Sequence, residues 1–254
     1  MYGAIIGDLA GSIYEYNQTK EIKNIKINNI IEKDSFYSDD TILTIAILDA
    51  IMNDKDYEKY LKYYIQKYKD YHPNFSPYFK SAFSPSLIKW SEGLKKGNSA
   101  GNGAIMRLSP VGYLFDSEGE TRINSILATL PSHNNYDSLN SSMTLALLIY
   151  FLRQGMTKDE AYEKLNINLE YKPFKTFNKT CKETLNNCLY IAYYSNSFED
   201  SIEKIIYEGG DTDTNACIVG SITESIYGIS ESLINEANKK LPDEFVYKLR
   251  KVKK

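Results

Sequence analysis

Three glycines spaced four residues apart, Gly3, Gly7 and Gly11, open the chain in the stretch YGAIIGDLAGSIYEYN. Residues four apart share one face of a helix, so this helix would carry a stripe with no side chains. Each glycine costs up to about 1 kcal/mol against alanine inside a helix. That cost is tolerable where another backbone, or a ligand, must approach along the stripe. The spacing therefore predicts a first helix in tight contact with a second one. A membrane dimerisation stripe does not fit, because Asp8 and Glu15 interrupt a segment already too short for a bilayer.

The rest of the sequence agrees with helix. DDTILTIAILDAIMND, DYEKYLKYYIQKYKDY, NSSMTLALLIYFLRQG, NKTCKETLNNCLYIAYY, SFEDSIEKIIYEG and NACIVGSITESIYG all repeat apolar residues with helical period. Short breaks of Gly, Pro, Asn or Ser separate them, and alternating patterns bounded by hairpin turns are missing. The stretch Gln18 to Tyr37 is rich in β-branched residues and Asn, and reads as an extended loop with room for a short strand. No low-complexity linker divides the 254 residues and no fixed-period repeat is found. The expectation is an all-α, compact single domain over residues 1–254, long enough to bury a substantial core.

Charge and cysteine usage narrow the class. A net charge of −3 argues against a strong nucleic-acid footprint. The longest apolar run, LALLIYFL from Leu145, is too short to span a membrane, and no signal peptide opens the chain. Cys181, Cys188 and Cys217 form no C-x-x-C pair, which fits reduced thiols and a cytoplasmic protein.

Two helix starts are crowded with oxygen. EGGDTDTNACIVG places Asp211, Asp213 and Thr214 after Gly209 and Gly210, and YSDDTILTIAI places Ser38, Asp39 and Asp40 ahead of another apolar helix. Acids and hydroxyls at a helix N-terminus are ordinary capping, and capping alone accounts for either cluster. Two such clusters in one all-α domain also suit a two-metal site. If the starts meet, the carboxylates repel one another unless cations lie between them, and all-oxygen ligands suit Mg²⁺ or Mn²⁺. The two histidines, His72 and His133, lack zinc-site spacing.

Competing motifs fail by counting. An EF-hand loop from Asp211 needs Gly at its sixth position and Glu at its twelfth, where the chain has Ala216 and Ile222. A D-x-D-x-[TV] nucleophile needs Thr or Val at Asn215 and an apolar strand before it; neither is present. KKGNSAGNGAIMRLSPVG offers glycines ahead of a helix-compatible run near Ala104, either a plain loop or a phosphate cradle. In LPSHNNYDS, His133 and Asn134 precede another helix, where a lone histidine is ordinarily surface or packing.

In order along the chain, GAIIGDLAGSIYE, YSDDT, SAGNGAIMRLSPVG, SHNN and GGDTDTNACIVGSITESIYG resemble the ADP-ribosylglycohydrolase family, from Gly3 to Gly228. The resemblance implies an orthogonal all-α bundle with a binuclear magnesium centre, manganese being an alternative. Carried over by position, Ser38, Asp39 and Asp40 would be ligands from one motif and Asp211, Asp213 and Thr214 from the other. Ser38 stands where members commonly have Thr. Ser99, Gly101, Asn102, Gly103, His133 and Gly210 would contact the substrate. Ala100 replaces an aromatic found in some members, and Ser132 stands where the family has Thr before the histidine. Glu15 matches a glutamate that in some members lies on a mobile segment over the metals.

The implied reaction is hydrolysis of the N- or O-glycosidic bond between ADP-ribose and an acceptor. Two metals would orient the ribose and lower the pKa of a water, and the sugar would pass through an oxocarbenium-like transition state. Glu15 or a metal-bound aspartate such as Asp40 would handle protons. The expected partner is an ADP-ribosylated protein or another ADP-ribosylated acceptor, met by a monomer. A non-catalytic ADP-ribose-binding protein of the same fold is the rival reading, since function lives in the site rather than the fold.

Overall fold

The computed structural model describes residues 1–15, 27–73, 81–172, 174 and 177–252. Thirteen α-helices make up this part of the chain, with no strand among the described residues. Their bounds are α1 Tyr2–Gly11, α2 Asp39–Met52, α3 Tyr57–Tyr68, α4 Pro85–Ser91, α5 Ser109–Leu114, α6 Glu118–Thr129 and α7 Tyr136–Arg153. α8 Lys158–Lys164, α9 Cys181–Tyr193, α10 Phe198–Glu208, α11 Thr212–Tyr227, α12 Glu231–Asn238 and α13 Asp243–Lys251 complete the set.

The glycine stripe is spent on α11. A Cβ built on Gly3 would lie 2.1 Å from the Gly220 carbonyl oxygen, one on Gly7 2.0 Å from that of Ala216, and one on Gly11 2.2 Å from that of Thr212. The contacts step forward by four along α1 and back by four along α11, so the helices run antiparallel in register. Every residue of α1 is buried, as is α11 from Thr212 to Thr223. Ile5, Ile6 and Leu9 are fully buried. At roughly 1.5–3 kcal/mol each, their burial outweighs the glycine cost. The far end of the pair is tied by Glu224, whose Oε2 accepts from Gly3 N–H at 2.7 Å and pairs with the Met1 ammonium.

Around this pair, α10 and α9 pack on α11, α2 packs on α1, and α3 and α5 pack on α2. α7 closes the core against α5, α6 and α11. The three cysteines are free and buried. No helix among the described residues is long and apolar enough to cross a membrane.

Local structure departs from the sequence expectation at two places, and agrees with it in the described part of the loop before α2. α1 ends at Gly11 instead of running on toward Glu15. Ser12 caps the helix with its N–H on Asp8 O, and its hydroxyl donates to Leu9 O at 2.9 Å and accepts from Phe36 N–H at 3.1 Å. Tyr14 N–H then bonds to Gly11 O in a tighter turn. The run after Gly103 is first a short 3-10 turn, Asn102–Ala104, and α5 begins only at Ser109 with Pro110 in its first turn. The part of Gln18 to Tyr37 that is described, residues 27–37, is loop without strand; residues 18–26 lie outside the described residues.

Candidate metal centre and active site

The antiparallel pairing sets the end of α1 beside the start of α11. Thr212 Oγ1 donates to Gly11 O at 2.9 Å across the junction. Asp8 lies one turn before the end of α1 and is fully buried. Its Oδ2 accepts from Ser38 N–H at 2.9 Å, from Thr41 N–H at 3.1 Å and from Thr41 Oγ1 at 2.5 Å. Asp8 thus holds the start of α2 against α1, and the two acidic helix starts meet.

Two groups of three carboxylates result, each with ligand oxygens within 4.8 Å of one another: Asp8, Asp40 and Asp213, and Glu15, Asp211 and Asp213. Asp213 belongs to both. Asp40 Oδ2 accepts from Ser38 Oγ at 3.2 Å and Thr214 Oγ1 at 3.1 Å, so both hydroxyls sit at the first group. The other oxygens, Asp8 Oδ1 and Asp40 Oδ1, are buried without a hydrogen-bond partner among the described residues. An orphaned buried carboxylate oxygen costs several kcal/mol unless something positive meets it. Asp39 is half-buried on the wall of the same cavity and belongs to neither group.

Electrostatics carry the same message. Burial, then the charge of Asp8, pushes Asp39 up to about 7; burial, with the charge of Glu15 adding to it, pushes Asp211 up to about 7. Burial raises Asp8, and burial with neighbouring carboxylate charge raises Asp40 and Asp213. Arg107 acts the other way and pulls Asp39 down. A bound cation inverts this logic by favouring every ionised form. The donors are all oxygen, the set that suits a hard divalent cation.

Capping accounts for one cluster and not the other. Ser38 Oγ accepts from Asp40 N–H at 3.2 Å and caps α2. Asp211 occupies the capping position of α11, yet its side chain makes no capping bond. Its Oδ2 accepts instead from Asn102 Nδ2 at 2.7 Å. Asn178 takes over at the backbone: its Oδ1 accepts from Asp211 N–H at 2.9 Å. Gly209 and Gly210 make the approach possible with φ of +75° and +76°. A Cβ on Gly210 would lie 2.2 Å from Asn178 Oδ1.

Glu15, Asp39, Asp211 and Asp213 open on a cavity of about 860 Å³, whose wall also includes Ser99, Gly101, Asn102, Gly103 and His133, while Asp8 and Asp40 are not on that wall. Gly210 is not on that wall; it faces Asn178. The glycine turn is pinned on two sides. Ser99 N–H donates to Ser132 O at 3.1 Å, and Asn102 N–H donates to Lys179 O at 2.9 Å. Gly101 N–H is also engaged, by Ser99 Oγ at 3.1 Å. His133 is buried, with its Nδ1 2.7 Å from Ser132 Oγ.

Sequence reasoning missed Asp8, Asn178 and Arg107. Asp8 had a signal, an ionisable residue inside an otherwise apolar, glycine-striped helix. Asn178 had none, since the two residues at the start of α11 that it binds, Asp211 and Asn215, lie 33 and 37 positions away.

Similarity to known proteins covers the same extent. The family model described as ADP-ribosylglycohydrolase matches residues 1–251. An ADP-ribosylarginine hydrolase of Pseudomonas putida (strain GB-1) is 23% identical over 91% of this chain and 70% of its own. The ADP-ribosylhydrolase ARH3 of Homo sapiens is 20% identical over 90% of this chain and 84% of its own. A solved structure described as an ADP-ribosylglycohydrolase-related protein complex shares the fold with a TM-score of 0.74 at 16% identity, covering 100% of this chain and 96% of that one. With a match over nearly its whole length, the chain belongs to the ADP-ribosylglycohydrolase family.

Proposed function

We propose that the chain is a magnesium-dependent hydrolase that cleaves the glycosidic bond between ADP-ribose and an acceptor, through nitrogen or oxygen. One observation carries this reading: two three-carboxylate groups share Asp213, and the group of Glu15, Asp211 and Asp213 lines a cavity large enough for a nucleotide. Asp8, Asp40 and Asp213 would hold one cation, and Glu15, Asp211 and Asp213 would face a second. Ser38 and Thr214, whose hydroxyls donate to Asp40 Oδ2, are near enough to add oxygens, while Asp39 stands on the cavity wall beside them. Bound magnesium ions would supply Lewis acidity to sugar and water oxygens; manganese offers the same chemistry.

The residues of the chain divide the remaining work. Asp40 is 1% exposed and its Oδ2 already accepts two hydroxyls, so ligation suits it better than proton transfer. Glu15 is half-buried on the cavity wall, beyond the end of α1, and is the better acid–base group. Asn102, by donating to Asp211 Oδ2, couples the glycine turn to the second group. That bond would align a ligand's diphosphate side with the acids that act on its ribose. The apolar wall around Phe83, Trp90 and Met106 limits water around the remainder.

The test is release of free ADP-ribose from a panel of defined substrates carrying it on arginine, on serine, on a nucleic-acid end or on a small molecule. Turnover of at least one with Mg²⁺ is expected. Tight ADP-ribose binding with no release from any substrate would leave a binding protein in its place.

A further inference from the structure

Arg107 is an anomaly for a soluble fold: a fully buried guanidinium with no carboxylate in ion-pair contact among the described residues. Its Nη2 donates to Ala128 O at 3.2 Å and to Ser132 Oγ at 2.6 Å. Ala128 belongs to the last turn of α6, whose carbonyl end favours a cation. The arginine therefore grips the end of α6 and, through Ser132, the residue before His133.

Donor and acceptor counting fixes the rest. Guanidinium has only hydrogens to give, so Ser132 Oγ must accept from Arg107. The serine's own hydrogen then has one acceptor within reach among the described residues, His133 Nδ1 at 2.7 Å. An Nδ1 that accepts leaves the ring's proton on Nε2. Burial, with the Arg107 charge beside it, holds His133 well below the usual histidine range, so the second proton does not bind. The Nε2 atom makes no hydrogen bond with the described residues. It lies at the glycine turn, 3.9 Å from where a Cβ on Gly101 would sit and 3.7 Å from one on Gly103. The turn needs such a donor, because the Gly101 and Asn102 amides are already engaged.

We propose that Arg107 and Ser132 are positioning residues that fix His133 as its Nε2–H tautomer, giving the cavity a neutral hydrogen-bond donor at the glycine turn. The ligand chemistry it suits is an anionic oxygen, such as that of a diphosphate. This rests on the ADP-ribose reading of the cavity for its ligand, though not for its tautomer. His133 then serves as a donor rather than a proton-transfer group.

The experiment is long-range proton–nitrogen correlation NMR of the full chain labelled with ¹⁵N, where two histidines give two imidazole patterns. The exposed His72 is assigned by His72→Gln. Expected for His133 at neutral pH is an unprotonated Nδ1 and a protonated Nε2, with the Nε2–H signal moving when ADP-ribose is added. Ser132→Ala should populate the Nδ1–H tautomer and weaken ADP-ribose binding on the order of tenfold. Ser132→Thr, which keeps the hydroxyl, should restore both. An Nδ1–H or doubly protonated His133 in the parent protein overturns the proposal, whether or not the variants fold. So does a folded Ser132→Ala protein whose tautomer is unchanged. If the Nε2–H tautomer is found and ADP-ribose moves no signal, the relay stands and the ADP-ribose reading of the cavity fails.

Discussion

At the start of α2, cap and acid are different residues: Ser38 Oγ receives the Asp40 N–H, while Asp40 keeps one oxygen without a partner. At the start of α11 the capping position is itself an acid, and Asp211 turns away from its helix toward Asn102. In each case a residue from outside satisfies helix-start amides, Asp8 at α2 and Asn178 at α11. A helix start has orphan N–H groups that attract any acid nearby. Relieving that demand from elsewhere frees carboxylate oxygens to point at something else, with Asp213 Oδ1 still taking the Thr214 N–H at 2.8 Å. The difference teaches that an acid-rich helix start is read as a site only when its cap is found on another residue.

The largest effect expected from breaking this arrangement is removal of the cation. Chelation should abolish ADP-ribose release, and added Mg²⁺ should restore it and raise the melting temperature. Full turnover in excess EDTA, with metal shown to be absent, would sink the two-metal reading.

Asp213→Asn comes next, because Asp213 is the carboxylate common to both groups. Turnover should disappear and calorimetry should show weakened metal binding, with the protein still folded. Asn caps about as well as Asp, so a mere capping role predicts no change. Asp39→Asn, outside both groups, should cost much less.

Glu15→Gln keeps size and removes the charge. A positioned acid–base group contributes on the order of 10²- to 10⁴-fold, so kcat should fall within that range while the cation of Asp8, Asp40 and Asp213, a group without Glu15, stays bound. A variant turning over within about twofold of the parent would show that Glu15 is not the proton-transfer group.

Smaller effects separate the two starts by sign. Without metal, Asp39 and Asp211 titrate at about 7 in the folded protein, above their ordinary carboxylate range. The folded state therefore holds more protons than the unfolded one between roughly pH 4 and 7. Stability contributed by these groups is present below that window and is lost as pH rises through it. Melting of the metal-free protein should show that fall, and saturating Mg²⁺ should flatten it. At neutral pH without metal, Ser38→Ala should destabilise by about 1 kcal/mol through its lost cap. Asp211→Asn, which removes charge and no cap, should stabilise. Equal signs in a denaturant titration would erase the distinction between the starts.

The parts legible in the sequence were those written in local spacing. Glycine at every fourth position announced a backbone contact, and the stripe meets α11. Aspartates beside apolar helix starts announced the acid clusters, because both the starts and the acids are local. The end of α1 is set in part by a contact that spacing does not show, the Phe36 N–H that the Ser12 hydroxyl accepts from 24 positions away. Asp8 and Arg107 were passed over for one reason: a single ionisable residue in an apolar stretch gains meaning only from partners that the fold delivers.

The rail formed by α1 and α11 also acts as a gauge. A methyl group on Gly11 would meet the Thr212 carbonyl and lie 2.6 Å from Asp213 Cα. Any side chain there forces a shift in the backbone that carries the shared aspartate. The separation between carboxylates is thus dictated by how closely two bare backbones can touch. The tolerance of such a gauge is smaller than one carbon atom, so Gly11→Ala changes cation affinity without altering a single ligand.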